Sequence, residues 1–347
     1  MTVVTEFTSP HLLALTNSGS ERALKLEVGA AGLDWRPGFQ AKGMVAFKAG
    51  ETVGEFGREA LRVPLAFARR LSLFAGKAGT REGAEAVVRG VGGAGMVVHH
   101  LGLEKGRLVG MGGGVGEGRL ADGAVVGTVI EVGPEDFWTG VHWHGRLLSP
   151  DPGGASGIEL PEDAPSRAWL KLEEAVRFFD LRFRAEDVVV ELGCAPGGVI
   201  LALLRRGVSV IGVDPARLAP VVMASAVAEM PRVGEAGGVP WVVHCRKPAA
   251  LVSKRDLGGR ATWFMSDMNQ SPAVAITECR RCIGMCPSIR SAVITLKLTD
   301  FAEASAQGEW LAAMRAMGFR TVRLQQMAVH HRELALVGLE RSEKGDC

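Results

Sequence analysis

Apolar and polar positions follow two periodicities along the second half of the chain. Short continuous apolar runs, typical of buried strands, occupy residues 187–192, 208–213, 240–245, 262–266 and 292–298. Helical spacing predicts helices over residues 166–179, 197–206, 273–285 and 301–317, and a closing hairpin is expected at residues 321–329 and 333–339. Because strands and helices alternate, we expect an α/β fold with a parallel sheet, covered on both faces, and a final antiparallel strand.

The first 78 residues predict a smaller α/β lobe. Strand-like runs lie at residues 11–16, 40–47 and 65–74, and helical patterns lie at residues 18–28 and 51–61. Ser18, followed by Glu21 three positions later, has the form of a capping box that would start the first helix. We therefore assign residues 1–78 to a separate N-terminal lobe.

Glycine interrupts the pattern beyond this lobe. Twelve of residues 90–118 are glycine, which leaves too few side chains for a continuous helix. We expect short strands near residues 96–101 and 125–132, joined by loops such as GMGGGVGEG, in a region spanning residues 79–147. The segment LSPDPGGASGIELPEDAP, residues 148–165, predicts a linker, and residues 166–347 form the second domain.

Composition bears on location more than on partner. The 347 residues suffice for about two domains, and a net charge of +2 does not by itself identify a nucleic-acid partner. The start MTVVTEFTSPHLLALT lacks the pattern of a signal peptide, and no segment approaches the roughly 18 apolar residues of a membrane helix. We expect a cytoplasmic protein without membrane contact.

Seven basic and three acidic residues between positions 58 and 89 favour a solvated face around Arg69 and Arg70 over a phosphate-binding surface.

Two groups of residues could suggest metal sites. Cys279, Cys282 and Cys286 follow helical spacing with no fourth ligand nearby, so we interpret them as buried thiols and predict no metal. In His142-Trp143-His144 the alternation favours a plain strand end over a metal site or a base-stacking surface.

A glycine loop supplies the first candidate chemistry. ELGCAPGG joins a predicted strand to a predicted helix, where free backbone N–H groups suit a ligand with phosphate or carboxylate groups. Asp214, about 20 residues on, ends the next strand and can accept hydrogen bonds from a ribose. Ala195 replaces the middle glycine of the dinucleotide fingerprint, which argues against a nicotinamide cofactor. A tight turn without any ligand is the alternative.

Four charged residues converge on the same edge of the predicted sheet. Asp267 and Lys297 stand where two parallel strands end, and Glu333 begins the last strand, which we expect to run antiparallel. Lys171 lies in the helix before the first strand and can reach this edge from outside. Each residue alone would be an ordinary surface charge, but together they indicate a catalytic set.

These residues and their surroundings resemble the FtsJ-like ribose 2'-O-methyltransferases, and within them the branch that methylates a cytidine of 23S rRNA. The resemblance to the family rests on PSRAWLKLEEA, SDMNQSP, ITLKL, HHRELALVG and ELGCAPGG. The resemblance to the narrower branch rests on ELPEDAPSRAWLKLEEA together with TGVHW upstream. It implies a Rossmann-like domain that binds S-adenosylmethionine (SAM), preceded by a ferredoxin-like lobe and a THUMP-like RNA-binding region. The expected partner is RNA, namely 23S rRNA or a ribosomal precursor, and no DNA or membrane.

The resemblance also assigns roles to residues. The cofactor-binding residues it implies are Glu191, Gly193, Cys194, Ala195, Pro196, Gly197, Gly198 and Asp214. A ribose hydroxyl is barely acidic, so a base must take its proton during methyl transfer, and Lys297 is our candidate. Lys171 would add positive charge and position the hydroxyl, while Asp267 and Glu333 would orient the two amines.

The sequence departs from the family pattern at the end of the third strand. Many such enzymes hold adenine with an acid there, whereas this chain has His244 and Cys245. Arg246-Lys247 and Lys254-Arg255 are candidates for phosphate contacts. Two other functions remain open, a small-molecule O-methyltransferase and a catalytically silent RNA-binding protein with the same fold.

Overall fold

The computed structural model describes residues 6–104, 107–112, 120–145, 148–226 and 239–341, which fall into two compact units. Unit 1 comprises residues 1–157 together with the short segments 177–180 and 325–331. Unit 2 comprises residues 158–176, 181–324 and 332–347. Most of the predicted loop GMGGGVGEG lies outside the described residues.

Unit 1 is built on one eight-stranded sheet with the strand order β2-β3-β1-β4-β8-β7-β5-β6. The elements are β1 (His11–Leu15), α1 (Glu21–Ala30), β2 (Trp35–Ala41), β3 (Met44–Ala49), β4 (Arg70–Ala78), α2 (Arg81–Gly92), β5 (Val97–Glu104), β6 (Arg107–Gly112), β7 (Val125–Gly133) and β8 (Asp136–Trp143). All neighbouring strands are antiparallel except β5 and β7. Because β4 pairs with both β1 and β8, the predicted regions 1–78 and 79–147 share a single sheet.

Unit 1 corrects several predicted helices. Helix α1 begins at Glu21 rather than near Ser18, and the Glu21 carboxylate accepts hydrogen bonds from the N–H groups of Gly19 (2.9 Å) and Gly43 (2.6 Å). Glu21, the acid of the predicted capping box, therefore stabilises the turn between β2 and β3 through its hydrogen bond with Gly43. The helix predicted at residues 51–61 is wrong: turns occupy this segment, followed by a 3-10 helix at Ala60–Arg62, and Gly54 has a positive φ of 67° that a helix cannot contain.

Helix α2 and strands β2 and β6 were not predicted. In α2 the apolar side chains are few, and the helix is held by Ala84 and Val88, which are fully buried in a cluster with Val98, Val129 and Val141. Thr80 caps its first turn by accepting a hydrogen bond from the N–H of Gly83 at 3.1 Å. Because alanine, valine and glycine make up most of this helix, the hydrophobic pattern of its buried face is too weak to predict a helix from the sequence.

Buried polar side chains gather near one end of this sheet. Arg69 and Arg70 are only 4% and 1% exposed, so the interpretation of a solvated face was wrong. Arg70 is held by the His142 ring, with 2.9 Å between Nη1 and Nε2, and it donates to the carbonyl oxygens of Ser149 and Asp151. Residues 148–157, the first part of the predicted linker, are thus packed on unit 1, where Asp151 is 5% exposed.

The histidines of this cluster remain neutral in the folded protein. Burial, followed by the positive charge of Arg70, lowers the pKa of His99 from 6.5 to about 3, and the same two causes lower the pKa of His142 well below its usual value. The ring centroids of His99 and His142 are 6.5 Å apart, and both rings are enclosed. The prediction of a plain strand end at residues 142–144 is confirmed in that Trp143 ends β8.

We predict that unit 1 loses stability in mild acid. Below pH 6.5 the unfolded chain protonates its histidines while folded His99 and His142 do not, so stability is complete above this value and falls as pH falls. Each pH unit below it costs up to about 1.4 kcal/mol per histidine. Urea denaturation across this range measures the slope, which His99→Leu should reduce. An unchanged slope in that variant would contradict the assignment.

Unit 2 contains a seven-stranded sheet with the order β11-β10-β9-β12-β13-β15-β14. Its elements are α3 (Ala168–Phe179), β9 (Val188–Leu192), α4 (Gly198–Leu204), β10 (Ser209–Val213), α5 (Pro220–Ala224), β11 (Val242–Cys245), α6 (Lys254–Leu257), β12 (Trp263–Ser266), α7 (Pro272–Met285), β13 (Ser291–Lys297), α8 (Gln307–Ala316), β14 (Phe319–Gln325) and β15 (Glu333–Arg341). Strands β9 to β13 pair in parallel, and β15 runs antiparallel to β13. The predicted Rossmann-like sheet with a final antiparallel strand is confirmed.

The centre of unit 2 is apolar except for Glu191 in β9 and Ser209 in β10. Every residue of β9, β10 and α4 is buried, as expected for the middle of a parallel sheet covered on both faces. Cys279, Cys282 and Cys286 are fully buried thiols, and among the described residues no cluster of His, Cys, Asp or Glu has the form of a metal site. Within the same residues, no helix has the length and apolar character needed to cross a membrane.

The N-terminal ends of three strands meet at one buried carboxylate. Asp187, whose side chain is fully enclosed, precedes β9 and accepts hydrogen bonds from Thr262 Oγ1 (2.8 Å) and Trp263 Nε1 (3.2 Å) at the start of β12. Arg290, before β13, donates to both oxygens at 2.7 and 2.8 Å. This group joins the strands at the sheet edge opposite the glycine loop.

Candidate active site

The glycine loop takes its shape from close contact with the chain that follows β12. Gly193 has φ +76°, and a Cβ there would lie 2.9 Å from the Met268 backbone and 3.0 Å from the carbonyl carbon of Asp267. At Gly198, a Cβ would lie 2.4 Å from Ser166 Oγ and 2.9 Å from Trp169 N. Glycine at these positions therefore serves chain-to-chain packing as well as any bound ligand.

The loop enters its helix later than expected. Helix α4 begins at Gly198 with Gly197 as its N-cap in the left-handed region, so Pro196 lies before the helix and not in its first turn. The Ala195–Pro196 peptide bond is cis.

Asp214 follows β10 directly, as predicted, and folds back on the loop. Its Oδ2 accepts a hydrogen bond from the N–H of Ala195 at 3.2 Å, and its Oδ1 accepts one from the N–H of Ala216 at 2.8 Å. Each carboxylate oxygen has further lone pairs, so the group can still accept hydrogen bonds from hydroxyls.

Glu191 and Cys194 are buried beside the loop. Glu191 is 2% exposed, and its Oε2 has no hydrogen-bond partner within the described part of the chain. Burial, and then the charges of Asp267 and Asp214, raises the pKa of Glu191 well above the usual glutamate value. Burial also raises the pKa of the Cys194 thiol, which is therefore unreactive.

The structure brings the four predicted charged residues together. Lys171 Nζ lies 3.0 and 2.9 Å from the two carboxylate oxygens of Asp267 and 2.9 Å from Glu333 Oε1. Lys297 Nζ lies 3.4 Å from Asp267 Oδ1 and 3.9 Å from Glu333 Oε1. Lys297 and Glu333 are paired neighbours on the adjacent strands β13 and β15. Asp267 directly follows β12, the neighbour of β13 on its other side, and Lys171 reaches the same place from α3.

The two amines are held differently. Lys171 makes three hydrogen bonds, which use all three protons of its ammonium group. Lys297 has only the two longer contacts and keeps 27% of its side chain exposed. Lys171 is therefore fixed by its three bonds, whereas Lys297 has hydrogen-bonding capacity left to turn toward a substrate.

Strand β11, the third strand of this sheet in chain order, ends at Cys245, as predicted. Asp256 of α6, an acid that the sequence analysis did not single out, lies close to this end. His244 Nε2 lies 3.1 Å from the carbonyl oxygen of Asp214, and the Cys245 thiol faces the Asp256 carbonyl. Asp256 forms a capping box with Ser253 and an ion pair with Lys247 at 2.8 Å, which lowers its pKa to about 2. The spacing Ser253-x-x-Asp256 was the available sequence signal.

We predict that Gly193→Ala weakens both the fold and the site. The added methyl group would press on the Met268 and Asp267 backbone, and φ +76° disfavours alanine. We expect a lower unfolding temperature and at least a tenfold loss of SAM affinity by calorimetry, because the glycine loop and Asp267 must move. Gly207→Ala, at a similar φ of +75° but with open space around the position, is the matched control. Equal SAM affinity in both variants would contradict this reading.

The second half of the chain is similar in sequence to known methyltransferases. A model of the FtsJ-like methyltransferase family matches residues 164–286. The ribosomal RNA large subunit methyltransferase M of Azotobacter vinelandii is 34% identical over 165 residues, which are 44% of this chain and 41% of that protein. The protein of the same name from Laribacter hongkongensis is 31% identical over 204 residues, covering 56% and 52% of the two chains. The chain thus matches about half the length of these curated relatives.

Among solved structures, the magnesium protoporphyrin IX methyltransferase of Synechocystis overlaps 53% of this chain and 87% of its own. Its TM-score is 0.33 and its sequence identity 13%. The family match covers the glycine loop, Lys171 and Asp267, and ends before Lys297 and Glu333. The resemblance of the second half of the chain to FtsJ-like methyltransferases, predicted from its sequence, is therefore confirmed over residues 164–286.

Proposed function

We propose that this chain is a SAM-dependent ribose 2'-O-methyltransferase acting on RNA, with a cytidine of 23S rRNA as its target. The observation that carries the proposal is the network in which Lys171 and Lys297 share Asp267 and Glu333 at the edge that also holds the glycine loop. The named relatives supply the RNA class, since both are large-subunit rRNA methyltransferases.

The residues around the loop fit a cationic nucleoside cofactor. Carboxyl groups of Glu191, Asp214 and Asp267 surround the loop, and one Glu191 oxygen is buried without a partner. Glu191, Gly193, Cys194, Ala195, Pro196, Gly197, Gly198 and Asp214 would hold SAM, with Asp214 accepting from the ribose hydroxyls. When bound, SAM supplies a methyl group activated by a positively charged sulfur.

The four charged residues can remove the proton of the ribose hydroxyl and align its oxygen with the methyl group. Lys297 takes the proton of the target ribose hydroxyl as the new bond to carbon forms. Lys171, whose three bonds go to carboxylates, acts on the hydroxyl oxygen through its positive charge, which favours the negative charge that develops there. Asp267 and Glu333 hold the two amines in place, so that oxygen and methyl carbon can meet in line.

Unit 1 is the proposed RNA-binding part. The order β2-β3-β1-β4, with α1 between β1 and β2, supports a ferredoxin-like arrangement whose second helix is replaced by the 3-10 helix Ala60–Arg62. The rest of the sheet would act as a reduced THUMP-like region, with residues 158–165 left as the linker. A ribosomal substrate places the activity in the cytoplasm.

The test is transfer of labelled methyl from SAM to rRNA that lacks its own modifications, followed by mapping of the labelled nucleotide. We expect label on one ribose of 23S rRNA. Label on small molecules but on no RNA would favour a small-molecule methyltransferase. SAM binding by calorimetry without any transfer would favour a silent RNA-binding protein.

A further inference from the structure

Glu191 is a buried acid without a counter-charge. It is the fourth residue of β9, is 2% exposed, and has an enclosed Oε2 that receives no hydrogen bond within the described residues. An ionised carboxylate in such a place would have one oxygen, Oε2, without water or a donor, which disfavours the charged form. The geometry alone therefore favours a neutral carboxylic acid.

The groups that face Glu191 also disfavour its ionised form. Asp214 after β10, Asp267 after β12 and the Cys194 thiol in the loop all oppose its ionisation or add no positive charge. The two aspartates have partners of their own: Asp267 is bonded by Lys171, and Asp214 by backbone N–H groups. Among the described residues, no ammonium or guanidinium group forms an ion pair with Glu191. These neighbours agree with the raised pKa of this group.

We propose that Glu191 is a neutral acid in the cofactor-free protein and releases its proton when SAM binds. The ligand brings an ammonium group and a sulfonium group, and a cation beside a buried carboxyl favours the charged form. The O–H bond of Glu191 breaks, its electron pair stays on the carboxylate, and the proton passes to the solvent. The inference rests on the proposed function only in requiring that the glycine loop binds SAM.

Proton release makes cofactor affinity depend on pH. Where one proton is lost per molecule bound, the affinity rises by up to about tenfold for each unit of increasing pH. Glu191→Gln keeps the shape of the neutral acid but has no proton to lose, so its affinity should depend much less on pH. Glu309→Gln makes the same change at an exposed position on α8 and is the matched control.

Calorimetry measures the proton directly. SAM is titrated into the full chain at about pH 6 in buffers of different ionisation enthalpy, because the ligand's own amino group, ordinarily of pKa about 7.7–8.0, is then protonated throughout. Wild type and Glu309→Gln should release close to one proton per bound SAM, and Glu191→Gln should release close to none. Equal proton release by wild type and Glu191→Gln, or proton uptake by wild type, would overturn the proposal.

A second measurement decides the matter if Glu191→Gln fails to fold or to bind. Infrared difference spectra of the wild type should lose the carbonyl band of a protonated carboxyl group when SAM is added, and no such loss would overturn the proposal. If wild type does not bind SAM, this inference and the proposed function both fail. If it binds with proton release but methylates no RNA, only the proposed function fails.

Discussion

Lys297→Ala should lower the rate of methyl transfer by about 10²–10⁴ at saturating SAM and RNA, the usual contribution of a general base. Lys297 is the amine with the longer contacts, 3.4 Å to Asp267 and 3.9 Å to Glu333, so it is the one that can turn toward the target hydroxyl. SAM affinity should stay within about threefold of wild type, because Lys297 lies outside the glycine loop. Single-turnover transfer and calorimetry measure the two quantities separately.

Arginine variants separate the base from the organiser. Arginine keeps its charge at every accessible pH and cannot serve as a base, so Lys297→Arg should be as inactive as Lys297→Ala. Lys171→Arg keeps the charge and the donors of a residue whose three bonds are all to carboxylates, and should retain part of the rate. Arg315→Ala, an exposed change on α8, is the control. Activity in Lys297→Ala within tenfold of wild type would show that another group takes the proton.

Asp187→Ala should cost about 1–3 kcal/mol of the free energy of unfolding, the penalty for leaving buried hydrogen-bond donors without their acceptor. The side chain is fully enclosed, and its loss leaves Arg290, Thr262 Oγ1 and Trp263 Nε1 without their acceptor. Because the group lies at the N-terminal edge of the strands, the folded fraction should still bind SAM with nearly normal affinity. Chemical denaturation and calorimetry at low temperature test both statements.

Glu186→Ala is the matched control for this prediction. Glu186 is the adjacent residue, its side chain is 71% exposed, and within the described part of the chain it forms one ion pair, a 3.9 Å contact with Arg184. Such exposed pairs contribute about 0–1 kcal/mol. A loss of stability in Asp187→Ala no larger than in Glu186→Ala would refute the central role of the buried group.

The charged residues at one edge of the sheet in unit 2 could be predicted because the ends of strands are visible in the sequence as the ends of apolar runs. Asp267, Lys297 and Glu333 stand where apolar runs begin or end, and a parallel sheet brings such positions to one edge. What the sequence does not show is which amine is held by which carboxylate. That distinction depends on the reach of Lys171 from α3, which only the folded packing determines.

The first half of the chain was less predictable because its organisation depends on distant pairings. The pairing of β4 with β8 joins residues that lie 59 to 68 positions apart in the chain, and no local pattern predicts it. Arg70 illustrates the same difficulty at the level of one side chain. Its charge predicts solvent, whereas the His142 ring and two carbonyl groups from residues 149 and 151 enclose it.

The order of synthesis separates the two halves of the site. Glu333 comes from β15, the last strand of the described chain, which inserts between β13 and β14. The glycine loop, Asp214 and Asp267, which we propose to form the cofactor side of the site, come earlier in the chain, so a nascent chain can fold this side first. Until β15 is in place, Lys171 and Lys297 share a single carboxylate. Newly made protein should therefore bind cofactor before it can catalyse transfer.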